Sequence, residues 1–177
     1  MTPWFIATGR FIPDDGIRWD NYVKWSGLDH LKEVVSLDPL LCPSVLPEIK
    51  NHYWPHIVNE DFMLDFFLDY DFLKNELADV PRKNVLCVFR NPSQQPVAPP
   101  IGDFEFLGYD LVDAHNGARA LTNCGGFPDV YANSELSEVA LLPDFKRAFE
   151  VQESLRSKHP EEFHANCHRW AVFRAKK

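Results

Sequence analysis

Between Phe104 and Tyr131 the chain reads FEFLGYDLVDAHNGARALTNCGGFPDVY, two apolar runs around an Asn116-Gly117 pair. No other stretch narrows the fold as much. Both central residues of a type I′ turn need positive φ, which Asn and Gly tolerate, so the pair is a strong local signal for a hairpin. The pattern predicts an antiparallel hairpin over residues 104–124, turning at or next to Asn116-Gly117. A two-residue turn there sets Val112 opposite Leu121 and Tyr109 opposite Cys124.

Further strands and helices follow from periodicity. Trp4–Ile12 reads as a strand stopped by the turn cluster Pro13-Asp14-Asp15-Gly16. Asn84–Arg90 is apolar on both faces, the pattern of a central strand, and Arg169–Arg174 reads as a last strand. Trp19–Trp25 and Leu28–Val35 are expected as short helices separated by Gly27. Glu60–Leu77 is the longest helical candidate, with Asp61, Asp65 and Asp69 on one polar stripe, Phe62 and Phe66 directed inward, and a break expected near Asp69–Asp71. Pro143–His159 has Pro and Asp in its first turn, cations in its last, and Pro160 as a stop. Four prolines bar long elements from residues 36–56, and four more make residues 91–103 a surface connector.

This order predicts an α+β fold: a mostly antiparallel sheet of about five strands with a central hairpin, covered by helices. The regular βαβ alternation of a doubly wound fold is missing, and so are GxGxxG and P-loop motifs. The whole chain, 1–177, is expected to form a single globular domain, with a helical, proline-broken first half (13–80) and a sheet-forming second half (84–174). A content of 45% hydrophobic and 14% aromatic residues supplies a core and excludes a disordered chain.

A net charge of -8 disfavours non-specific nucleic-acid binding. No apolar run approaches the ~20 residues that span a bilayer, so no membrane role is expected. The beginning of the chain lacks the features of a signal peptide. Cys42, Cys87, Cys124 and Cys167 are widely spaced, and they read as reduced thiols of a cytoplasmic protein.

Chemistry-bearing residues gather in four patterns. Cys124 precedes Gly125-Gly126 and, with His164 or His168, would make an activated thiol next to free backbone amides. The plainer reading is a strand-end thiol beside a turn. Cys124, His164, Cys167 and His168 are also donors that suit zinc. Their spacing matches no paired-ligand motif, so no cofactor is favoured. The Asp61, Asp65, Asp69 stripe suits a cation or a basic partner, or is a solvated face. Trp54 belongs to an aromatic surplus in the first half that serves either the core or a binding surface.

Two functions follow. The first is a small acidic cytoplasmic binding module recognising a protein or peptide partner, inhibitor- or immunity-like in character, through Asp61, Asp65, Asp69 and Trp54. The alternative is a thiol- or metal-dependent enzyme, of hydrolase or transferase type, centred on Cys124 with His164 and His168. The sequence specifies no oligomeric state.

Overall fold

The computed structural model describes residues 2–46, 48–122 and 126–176. Five antiparallel strands form one sheet: β1 (Trp4–Gly9), β2 (Lys83–Arg90), β3 (Phe104–Asp113), β4 (Ala118–Arg119) and β5 (His168–Ala175), in the order β1-β2-β5-β3-β4. Among the described residues three α-helices accompany it: α1 (Ile17–Ser26), α2 (Tyr70–Glu76) and α3 (Phe145–Lys158). The α+β expectation is met.

Alternation along the strands gives the sheet two apolar faces. Phe5, Cys87, Phe89, Tyr109, Leu111, Ala171 and Phe173 join one core cluster, which includes Ala148, Val151 and Leu155 of α3. Ile6, Leu86, Val88, Val112, Trp170 and Val172 join the other. The second cluster has no helix among its buried members; irregular chain closes it, with the Phe66 ring stacked on Trp170 at 5.2 Å. A sheet buried on both sides needs apolar residues at successive positions, and β2 supplies them.

That demand explains two departures from the sequence reading. Residues 28–35 are not helical. The Val34 N–H donates to Phe11 O at 2.9 Å and the Val35 N–H to Val139 O at 3.1 Å. Val34 enters one core cluster and Val35 the other. Extended backbone sends neighbouring side chains to opposite sides, which a helix cannot do. Residues 59–69 are likewise irregular, and the helix expected from Glu60 begins only at Tyr70. Phe66 and Phe67 again feed opposite clusters, while Phe67 pairs with Phe5 along the free edge of β1 (2.8 and 2.7 Å). The Asp69 carboxylate accepts from Phe72 N–H at 3.0 Å and caps α2, at the expected break. Phe66 is buried and Phe62 packs inward on Trp4, as expected.

The β3–β4 hairpin forms, with a different register. Val112 faces Arg119 and Asp113 faces Ala118, so the turn is the four-residue loop Ala114–Gly117 rather than a two-residue one. Asp113 causes this: its carboxylate accepts from the His115 N–H (3.1 Å) and the Asn116 side chain (2.6 Å). Gly117 takes the positive φ of 64°. Cys124, expected opposite Tyr109, lies outside the described residues.

The new register buries Arg119 beside Asp110. Neither side chain has any exposure, and Arg119 Nε donates to Asp110 Oδ1 at 2.8 Å. The other carboxylate oxygen accepts from Ser36 Oγ (2.8 Å) and Leu37 N–H (3.0 Å). Arg119 also donates to Thr122 Oγ1 and to Ala140 O. Burial alone would favour the neutral guanidine, but the Asp110 carboxylate holds Arg119 protonated, above its ordinary range. Thr122 and Ala140 both sit at positive φ (62° and 64°). For a β-branched residue that backbone is strained, and it persists where surroundings over-determine it.

β3 approaches its neighbour closely at Gly108, where φ is 141° and a Cβ would lie 2.8 Å from both Leu141 Cβ and Leu142 O. Gly108→Ala is expected to cost about 1–3 kcal/mol in urea unfolding, from backbone strain plus displacement of residues 141–142. Gly117→Val is expected to cost on the order of 1 kcal/mol or more, since a β-branched residue resists that φ. Wild-type stability in either variant would contradict the close approach or the turn geometry.

Candidate functional site

The C-terminal thiol and histidines come from the 3-10 turn Phe163–Asn166 and the start of β5. Strand alternation separates them. Cys167 is fully buried, with its thiol directed at Ala118 O (3.5 Å), and burial pushes its pKa up to about 12. His168, on the opposite side, lines an open polar pocket of about 470 Å³ with Asp113, His115, Asn116, Arg156 and Asn166. His164 packs against the Phe127 ring, 4.9 Å between centroids, and is not among that pocket's described lining residues. Cys167 and His168 therefore face opposite sides and do not converge. Among the described residues no group of three His, Cys, Asp or Glu side chains is placed to hold a metal ion. Cys124, expected as nucleophile or ligand, lies outside the described residues.

His115, in the hairpin loop, has its ring 6.3 Å from that of His168. Its Nδ1 lies 2.6 Å from Asp61 O, which ties the hairpin loop to the irregular segment 59–69. The sequence signal for this pairing is Asp113, whose capping of the loop sets the direction of the next residues. His168 Nδ1 is buried without a hydrogen-bond partner among the described residues.

The acidic residues do not make a helical stripe, because no helix spans them. Asp61 is exposed near the hairpin loop, Asp65 is half-buried, with burial pushing its carboxyl up, and Asp69 caps α2. A different arrangement replaces the stripe. Trp54, in the 3-10 turn Asn51–His56, is 65% exposed, Leu68 is 50% exposed and Met63 is 59% exposed. The Leu68 N–H donates to His56 O at 2.7 Å, which brings Leu68 and Asp69 beside the turn that carries Trp54. The His56 ring stacks on Phe72 (3.8 Å) and lies 3.6 Å from Asp69. Glu60 holds Arg90 through two contacts of 2.6 and 3.0 Å.

No protein-family model matches the chain, and comparisons with curated proteins and with solved structures return no match. No helix among the described residues is long and apolar enough to cross a membrane.

Two outcomes are expected here. Cys42, Cys87 and Cys167 are buried, each with its thiol pushed up to about 12 by burial. They should resist iodoacetamide at neutral pH in native protein and react after denaturation; rapid native labelling of any of them would contradict the packing. Burial also lowers the pKa of His164 and His168 below the ordinary 6.5. The unfolded chain then binds more protons as pH falls through 6.5, so this stability is complete above that value and lost below it. Unfolding midpoints between about pH 7.5 and 5 should fall with acid, and His168→Asn should flatten the slope.

Proposed function

We propose that this chain is a small binding module that recognises a basic protein or peptide partner through the surface of Trp54, Met63 and Leu68 and the carboxylates of Asp61, Asp65 and Asp69. The observation that carries this reading is how segment 54–69 divides its large apolar residues. Val58, Leu64, Phe66 and Phe67 are buried, whereas Trp54, Met63 and Leu68 point outward although the core takes its neighbours. Exposed apolar groups interspersed with acids suit a partner with apolar anchors and cations, where charge steers encounter and the Trp supplies affinity. An inhibitor- or immunity-like role belongs to this class. A cytoplasmic setting fits the free thiols Cys42, Cys87 and Cys167.

The alternative, a thiol-dependent enzyme, turns on Cys124, which lies outside the described residues; among those described, Cys42, Cys87 and Cys167 are buried and no cysteine lines the pocket at His168.

The test is titration of the full chain with a panel of lysine- and arginine-rich amphipathic peptides. Saturable binding that weakens with salt is expected, with affinity at least about tenfold lower in Trp54→Ala, or roughly 1.4 kcal/mol. Absence of binding across the panel, or equal binding by the variant, would overturn the proposal.

A further inference from the structure

Six of the chain's 18 Lys and Arg residues line one cleft of about 770 Å³ in a protein of net charge -8: Arg10, Lys74, Arg82, Lys83, Arg174 and Lys176. They come from the residue after β1, from α2, from the start of β2 and from the end of β5. Crowding like charges costs energy that neighbouring carboxylates offset only in part. Glu33, almost completely buried, accepts from Arg10 (2.9 and 2.8 Å), Arg174 (2.8 Å) and Asn84 (3.0 Å). Glu105 pairs with Arg174, Asp15 with Arg82 and Asp103 with Lys176. Lys74 and Lys83 have no carboxylate partner among the described residues. Lys83 Nζ donates to Leu77 O, and Lys74 Nζ stands 5.9 Å from the Tyr70 ring centre.

Two further features mark a built site. Arg82 holds a positive φ of 49°, and its carbonyl accepts from the Arg10 N–H at 3.2 Å, so strained backbone sits at the cleft. The cleft volume is also within the roughly 300–1,000 Å³ of small-molecule sites. Tyr70, Val85 and Ala175 are also among its lining residues.

We infer that this cleft binds a small organic phosphate monoester. Two cations in excess of the paired ones match a group carrying about two negative charges near neutral pH. Arg10 and Arg174 are already ordered by Glu33, so binding an anion beside them costs little further ordering. Tyr70, Val85 and Ala175 suit a planar or apolar body attached to the phosphate. The site is separate from the surface at Trp54 and does not depend on it.

Calorimetric titration and thermal shift of the full chain with phenyl phosphate, inorganic phosphate and succinate test this. Phenyl phosphate is expected to bind saturably, more tightly than inorganic phosphate, with an affinity that falls as salt rises. Lys74→Gln/Lys83→Gln should weaken it at least about tenfold, and Arg156→Gln, outside the cleft, should not. Lys74→Gln alone, at an exposed position, keeps the comparison valid should the double variant lose stability. No saturable binding of either phosphate at about 10 mM, unchanged affinity in the lysine variants, or succinate binding as tightly as phenyl phosphate would each overturn the assignment.

Discussion

A buried ion pair, Asp110 with Arg119, is the constraint on which the second half of the structure depends. Taking two charges out of water costs several kcal/mol per ion unless every remaining donor and acceptor is satisfied. Here most of the satisfying groups come from distant parts of the chain: Ser36 and Leu37 on the carboxylate and Ala140 on the guanidinium, joined by Thr122 three residues beyond Arg119. The pair thereby fixes four segments against one another. It also locks the hairpin register that the Asp113-capped loop sets, since a shift of the β3–β4 ladder would separate the charges, and it holds Thr122 and Ala140 at positive φ.

Around that point, the sheet is buried on both faces with α-helices in only one of the two clusters. Chain without regular structure must therefore close the second face. Segments 34–37 and 57–69 do this, and each lends backbone hydrogen bonds to neighbouring extended chain. Because segment 57–69 covers the core from outside, some of its large apolar residues face outward, Met63 and Leu68 among them. Trp54, in the turn just before it, is exposed beside Leu68.

Strands β2 and β5, the hairpin and α3 were legible because local pattern and tertiary demand agree there. Asp144 accepts from Arg147 N–H and caps α3 as its position suggests. Legibility failed where an apolar run with helical spacing serves two cores at once. Leu28–Val35 and Glu60–Asp69 carry apolar residues that fit a helix, yet Val34/Val35 and Phe66/Phe67 divide between opposite faces. Arg119 was overlooked because a lone cation in a strand reads as a solvent-facing residue. The available signal was an Asp in one arm of the hairpin and an Arg in the other, each set in apolar surroundings. Residues 10, 74, 82, 83, 174 and 176 are too dispersed along the chain for any local pattern, and only the fold brings them to one cleft. Among the site residues, the acids of segment 61–69 were recognised as a group but placed on a helix that does not form.

The dependence of the fold on the buried pair is measured most directly by a double-mutant cycle in urea unfolding. Asp110→Ala and Arg119→Ala should each cost about 3–5 kcal/mol, because each leaves an unpaired charge in a dry interior. The double variant should cost less than the sum of the two by at least about 2 kcal/mol, since it removes both charges together. Additive losses, or a single loss below about 1 kcal/mol, would contradict the central place given to Asp110 and Arg119.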